Sequence, residues 1–344
     1  MSRLQEEAMR VLRDRLAPLV RYMEDDSVNE VMINGHGNYF VESHGRIERV
    51  EADLAPNAID AAIRAVMAIN SKDTSYIMDA RLPGLRVACA IPPVAVHGSM
   101  MTIRKHARSQ LSLDDYVEQG AFNRKGGERV AGRGEAAQYE EAAKEGGQGL
   151  ADFLRWAIRS HKNLLLAGGT GSGKTTLLSS CLMEIPDDER IITCEDTNEI
   201  TLGQSNIVQL EAYAVPGMTP ITIRDLIRLC LRSRPDRIVV GEIRGQEAYD
   251  FLDALNTGHS GSLCTLHADS AFLALRRLES LIRMSPTATN LPLPDMRAAI
   301  ASAIHYVLYQ ARDGGIRAPE QVIALDGVNA NGDYAWRSIY NRFD

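Results

Sequence analysis

Residues 168–175 read Gly168-Gly169-Thr170-Gly171-Ser172-Gly173-Lys174-Thr175, the spacing G-x-x-x-x-G-K-[ST] of a loop that wraps phosphate groups. Its glycines let the backbone turn successive N–H groups inward, and Lys174 can set a point charge on the β- and γ-phosphates. The Thr175 hydroxyl is a candidate Mg²⁺ ligand. The apolar run Leu164-Leu165-Leu166 reads as a strand before the loop and the residues from Thr176 as a helix after it, so the phosphates would meet a helix N-terminus. A plain glycine-rich turn explains the glycines but not the lysine and threonine at this spacing. Gly169, Thr170, Gly171, Ser172, Gly173, Lys174, Thr175 and Thr176 are the candidate ATP-binding residues.

Three further apolar runs end in polar side chains. Ile191–Cys194 leads into Glu195-Asp196-Thr197-Asn198-Glu199, where carboxylates could polarise an attacking water or support Mg²⁺. Capping the next helix is the competing role, and it suits Asp196 better than Glu195. Ile238-Val239-Val240-Gly241-Glu242 puts an acid two residues past a strand, a position for a Mg²⁺-associated carboxylate. Leu263–Leu266 is followed by His267-Ala268-Asp269, bringing an imidazole to the same edge. Ligands collect at the carboxyl ends of parallel strands, which makes Lys174, Glu195, Glu242 and His267 candidates for catalysis.

These runs need a scaffold. From Leu150 onward, short apolar runs alternate with helical stretches, the pattern of an α/β domain with a buried parallel sheet. Before it, strands are expected at Val28–Ile33, Tyr39–Glu42, Ile47–Val50, Leu85–Ile91 and Met100–Arg104, with a helix from Pro56 to Asn70. The expected organisation is a smaller α+β N-terminal domain over residues 1–118, a flexible linker over 119–149, partly helical at Glu135–Lys144, and a P-loop domain over 150–344. Residues 120–149 hold eight glycines and few large apolar side chains, so no core is expected there. Residues 4 to 22 carry apolar side chains at helical spacing with arginines between them. That helix could pack on its own domain or lie on an anionic membrane surface.

The chain has 344 residues and a net charge of −7, which argues against a surface that is one nucleic-acid footprint. Aromatic residues are only 6% and unclustered, so base-stacking platforms are not indicated either. Five scattered cysteines form no C-x-x-C pair and read as buried apolar residues. No run of about 18 apolar residues and no signal segment is evident, so the protein is expected in the cytoplasm.

In order and spacing, the phosphate loop, Glu195-Asp196-x-x-Glu199, Arg234–Gly245 and Thr257–Gly261 leading to His267 resemble the Walker A, Asp box, Walker B and His box of the secretion traffic ATPases. The resemblance covers about residues 25 to 310. Asn29–Gly35, Leu82–Val87 and Ile91-Pro92-Pro93-Val94 are similar to the conjugation and type IV secretion branch, and a four-cysteine zinc insertion is lacking. The resemblance implies a RecA-like P-loop NTPase domain that hydrolyses ATP with Mg²⁺. It also implies a homohexamer, peripheral on the cytoplasmic side of the inner membrane, with inner-membrane secretion components as partners. By the same resemblance Glu195 activates water, Glu242 supports Mg²⁺ and His267 links the γ-phosphate to domain movement. Arg86 and Arg104 match positions that approach the nucleotide, and Arg232 or Arg234 serves a subunit interface. A pilus retraction ATPase, a RecA-like nucleic-acid motor and a non-hydrolysing nucleotide-dependent scaffold are the alternatives.

Overall fold

The computed structural model describes residues 3–69, 76–105, 131–214, 219–313 and 316–344. Two sheets organise them. The N-terminal sheet is antiparallel, six strands in the order β3-β2-β1-β6-β5-β4, with β1 (Val28–Asn34), β2 (Tyr39–Ser43), β3 (Arg46–Val50), β4 (Ile77–Leu82), β5 (Leu85–Ala90) and β6 (Met100–Lys105). Helices α1 (Arg3–Arg15), α2 (Ala17–Glu24) and α3 (Ala58–Ile69) pack with it around a core that includes Leu12, Leu16, Val31, Ile63 and Val87.

One continuous helix was expected over 4–22, but the structure has two. Pro18 lacks the N–H that would reach the Asp14 carbonyl, so the first helix stops and α2 begins with proline in its first turn. The apolar face of this pair is spent inside its own domain: Ala8, Leu12, Leu16 and Leu19 are buried, and α1 packs on α3. Strand β4 was not expected either. Its Asp79 and Arg81 break the apolar pattern, and it forms because every residue from Ile77 to Leu82 pairs with β5 across the Pro83-Gly84 turn.

The second sheet has eight strands in the order β14-β13-β12-β7-β11-β10-β8-β9. Strands β7 (Leu164–Gly168), β8 (Ile191–Glu195), β10 (Arg237–Val240) and β11 (Leu263–Leu266) are buried along their whole length, which is why they appear in the sequence as unbroken apolar runs. Strand β9 (Ile207–Glu211) is the parallel edge, β12 (Tyr306–Asp313) runs parallel to β7, and β13 (Ile316–Val328) and β14 (Tyr334–Asn341) complete an antiparallel extension.

Part of the expected linker is ordered structure. Residues Ala131–Ala143 form α4 and Gly147–Arg159 form α5. Tyr139 stacks on Trp156, ring centroids 5.6 Å apart, and the buried Glu140 accepts from the Tyr306 hydroxyl at 2.7 Å and pairs with Arg337 at 2.6 Å. A Cβ on Gly149 would fall 2.0 Å from the Ala142 carbonyl oxygen, so this glycine serves a close crossing of two helices. The rest of that stretch, up to residue 130, lies outside the described residues.

The two sheets also meet in a shared core, since Ala88, Ala90, Val94, Ala95 and Met100 pack among Cys194 and Leu210 of the second sheet and Leu226 of a helix beside it. Where the two domains meet, Arg190 is fully buried. Its guanidinium donates to the Ser233 carbonyl at 2.9 Å and to Asn34 Oδ1 and Asn206 Oδ1 at 2.8 Å each. Burial pulls its pKa down to about 10 because these partners are neutral oxygens, with Glu30 and Asp236 nearby opposing the fall.

Candidate active site at the carboxyl edge of the second sheet

Strand β7 delivers the chain to a loop shaped by its neighbour. A Cβ on Gly168 would lie 2.2 Å from the Gln310 carbonyl oxygen on β12, so only glycine fits where the loop leaves the sheet. Gly171 and Gly173 take φ of +72° and +88°, the left-handed region that glycine enters without strain. Helix α6 (Lys174–Leu182) starts at once. Lys174 is buried, and its Nζ donates to the carbonyls of Gly168 and Gly169 at 2.9 Å each. Burial lowers its pKa, with Glu242 opposing and Arg244 adding to the fall. The Ser172 hydroxyl is buried with no hydrogen-bond partner, and a Cβ on Gly169 or Gly171 would meet nothing within 4 Å. An ammonium held by loop carbonyls, beside an orphaned hydroxyl and open space, fits phosphate oxygens.

The acids come from two other strand ends. Glu195 closes β8 and is 3% exposed. Its Oε1 accepts from the amides of Glu199 and Ile200 at 3.1 Å each, while Oε2 is buried without a partner. Room for it comes from Gly241, where a Cβ would stand 2.9 Å from Glu195 Cγ. Burial raises the Glu195 pKa, more than the two amides lower it, and Glu199 and Glu211 add to the rise. Glu242, just past β10, is tuned the other way. Burial alone would raise it, but the bond from Arg244 Nη2 at 2.8 Å, the facing His267 imidazole and the charges of Arg244 and Lys174 hold it below the usual carboxylate range. One carboxyl is thus biased toward holding a proton and its neighbour toward staying ionised, the division that acid–base chemistry uses.

His267, past the end of β11, joins these groups. Its Nδ1 is 3.4 Å from Lys174 Nζ and its Nε2 3.2 Å from Glu242 Oε1. Lysine can only donate, so Nδ1 is the acceptor and Nε2 carries the proton that faces Glu242. The ends of β7, β10 and β11 are tied into one chain by a single imidazole.

The sequence matches the family described as "Type II/IV secretion system protein" over residues 135–311. The chain is 33% identical over 310 residues to the type IV secretion system protein VirB11 of Brucella suis, covering 86% of this chain and 84% of that protein. It is also 33% identical over 333 residues to the conjugal transfer protein TrbB of Rhizobium radiobacter, covering 94% and 92%. The crystal structure of the Brucella suis VirB11 ATPase in complex with sulphate superposes with a TM-score of 0.80 at 31% identity, covering 92% of this chain and 96% of that one. The chain belongs to the type II/IV secretion system protein family. Within that family it is an ATPase of the type IV secretion and conjugation branch, with a RecA-like nucleotide-binding domain behind a smaller N-terminal domain.

The expected arginines of this secretion ATPase do not touch the phosphate loop through any hydrogen bond or ion pair among the described residues. Arg104 lies directly across β1–β6 from Glu30 and bonds it at 2.6 Å. Arg86, opposite Arg104 in register, bonds both oxygens of Asp79 at 3.1 and 3.2 Å. Two arginines facing each other across strands would repel, and each has its own carboxylate. Arg232, from the second domain, reaches the same Asp79 at 2.8 Å, so an Arg86–Asp79–Arg232 bridge spans the two domains. Arg234 pairs with Asp236 at 2.6 Å.

Two contacts at the phosphate loop escaped the sequence reading. Gln310 on β12 donates from Nε2 to the carbonyls of Ser172 at 3.1 Å and Gly173 at 3.3 Å. Arg317 on β13 lies over Gly173, where a Cβ would stand 3.0 Å from Arg317 Cδ. Neither residue sits in a recognisable motif; the pairing of β12 with β7 brings Gln310 there.

Proposed function

We propose that this type IV secretion ATPase works as a homohexameric ring at the cytoplasmic face of the inner membrane, hydrolysing ATP to drive substrate translocation or pilus biogenesis together with inner-membrane secretion components. The observation that carries the catalytic reading is the Lys174–His267–Glu242 chain, with the buried Glu195 beside it in the neighbouring strand. Lys174 exchanges its two carbonyl partners for β- and γ-phosphate oxygens. Glu195, with one free oxygen and a raised pKa, orients the attacking water and takes its proton. His267 loses or keeps its contact with Lys174 according to whether a γ-phosphate is present, and so reports it to Glu242.

Mg²⁺ fits the hard oxygen donors of Thr175 and the ionised Glu242; when bound it neutralises charge developing on the phosphates.

We put the domain boundary before α4 rather than at residue 150, since α4 packs with α5 and β14. Arg86, Arg104 and Arg232 serve domain closure in this reading, Arg232 and Asp79 being the contact that changes. Attachment to the membrane runs through partner proteins. No described helix is long and apolar enough to cross a bilayer, the apolar face of α1 is buried, and Arg10, Arg13 and Arg15 are each paired with a carboxylate.

The test measures ATP turnover and mass by light scattering with and without Mg-ATP, alongside recovery of tagged protein from membranes. Mg²⁺-dependent turnover, a six-subunit mass and co-purified secretion components are expected. A protein that stays monomeric in every nucleotide state, or turnover that rises only with DNA and collapses with salt, would overturn the reading.

A further inference from the structure

The N-terminal domain reaches the Glu195 loop by way of two residues of β9, Gln209 and Glu211, the latter accepting from the Asn198 amide at 3.0 Å. After β5, the segment Val94–His97 lies against the free edge of β9: Glu211 N donates to the Val94 carbonyl at 2.9 Å, Val96 N to the Gln209 carbonyl at 3.1 Å, and Ala95 bridges Leu210. His97 Nε2 then meets Gln209 Oε1. On the other side of the same amide, Gln209 Nε2 donates to Asn198 Oδ1 at 2.9 Å and to the Ile200 carbonyl at 2.6 Å. Ile200 is therefore gripped twice. Its carbonyl is held by Gln209 and its N–H is one of the two that hold Glu195 Oε1.

We infer that Gln209 is a positioning residue for hydrolysis: anchored by His97 of the N-terminal domain, it fixes the 196–200 loop whose amides aim the Glu195 carboxylate. The chemistry of the position favours an amide. Both Nε2 hydrogens and Oε1 have partners, and Gln209 is only 7% exposed. A glutamate there would lose both donors and add a fourth carboxylate to a group already holding Glu195, Glu199 and Glu211. An apolar residue would leave the Ile200 carbonyl, the Asn198 side chain and His97 each without this bond. The register makes the reach short, since Gln209 lies opposite Thr193 and Glu211 opposite Glu195 across β8–β9. Because the grip begins in the N-terminal domain, displacement of the Val94–His97 segment alters how well Glu195 is aimed without touching the phosphate loop.

The inference rests on Glu195 acting on water, and the experiment separates the two. Full-length Gln209→Ala and Gln209→Glu should lose about 10- to 100-fold in kcat, the cost of misplacing a catalytic group, with KM for ATP within about twofold of wild type. His97→Ala should lose less, and His97→Gln, which keeps a donor, should recover most of that loss. In a Glu195→Gln background, Gln209→Ala should add little to the residual single-turnover rate, because the group it positions is gone. If Gln209→Ala destabilises the fold, the His97 pair carries the same test, since that side chain lies at the edge of the network. Wild-type kcat in Gln209→Ala and His97→Ala, or a Gln209→Ala loss that is unchanged in the Glu195→Gln background, would overturn the positioning role while leaving Glu195 in place. Wild-type turnover of Glu195→Gln alone would overturn the reading beneath it.

Discussion

Gly261 and Arg237 compete for one space: a Cβ on Gly261 would stand 1.9 Å from Arg237 Nη1. Arg237 is completely buried at the start of β10, donating to the carbonyls of Ile158 and Gly261 at 3.0 Å each and to both oxygens of Glu189 at 2.5 and 3.0 Å. The glycine that closes the Thr257–Gly261 block is thus explained by a buried ion pair beneath it. Gly261→Ala must displace a charge with nowhere to go, and its φ of +83° adds strain. A loss of about 3 kcal/mol or more is expected in urea unfolding. A change under about 0.5 kcal/mol would mean that the guanidinium is free to shift.

Lys174→Ala should lower ATP turnover by about 100- to 1,000-fold, the scale of losing a preorganised charge on the transition state. The fold should survive, because burial already disfavours this ammonium and its two bonds go to loop carbonyls. Turnover near wild type would remove the phosphate-loop assignment; a collapsed melting temperature would show that the lysine is structural.

The two acids should part company. Glu195→Gln should bind ATP normally and turn it over slowly, since the amide retains shape and loses the basic oxygen. Wild-type kcat should fall on the acid side at a pH above the ordinary glutamate range, because protonation at a raised pKa silences the base, and that limb should be missing from the variant. Glu242→Gln should instead raise the Mg²⁺ concentration needed for half-maximal rate. An unmoved acid limb in Glu195→Gln would reverse the two roles.

Arg104 has two roles that one double variant separates. Its partner Glu30 is 4% exposed at the side chain while Arg104 is 56% exposed, so Arg104→Ala strands a buried carboxyl whose pKa burial already raises. A stability loss of about 1–3 kcal/mol is expected, recovered largely by adding Glu30→Gln. Turnover that stays low in the double variant would establish contact with nucleotide; full recovery would make the arginine a structural partner of Glu30.

His305 should make the fold acid-sensitive. Burial, aided by Lys162, pulls its pKa to about 4 from an ordinary 6.5, and its Nδ1 accepts from the Asn163 amide at 3.0 Å, which requires an unprotonated ring. The unfolded chain takes up this proton near pH 6.5 and the folded one only near 4, so stability from this group is complete above about 6.5 and lost as pH falls toward 4. Chemical denaturation of wild type and His305→Asn at several pH values measures it. Identical slopes between pH 4 and 6.5 would exclude His305 as the cause.

The phosphate loop, the runs before Glu195, Glu242 and His267, and the α/β class of the second domain were legible because each is local. A phosphate loop needs its glycines, lysine and threonine in consecutive register, and a strand buried on both faces is an apolar run whatever surrounds it. The observed β8, β10 and β11 fall on the expected runs within a residue at their ends. The break at Pro18 is equally local, but the helical spacing over 4–22 reads across it.

What the sequence by itself determined was which residues can do chemistry and in which strand-to-loop setting. What the tertiary structure alone decided was their partners. Gln209, Gln310, Arg190 and Arg237 lie in or beside ordinary strands, and nothing near them in sequence says whether they face water, a carboxylate or another domain. Asn34 meets Asn206 from 172 positions away, and Gln310 meets Ser172 from 138. Strands β9 and β12 to β14 gain their edges from pairing, and α4 lies in a glycine-rich stretch because Gly149 admits a close helix crossing. A hydrogen bond needs a partner at about 3 Å in the right direction, and in a folded chain that is fixed by how the sheets and helices pack, not by spacing along the chain.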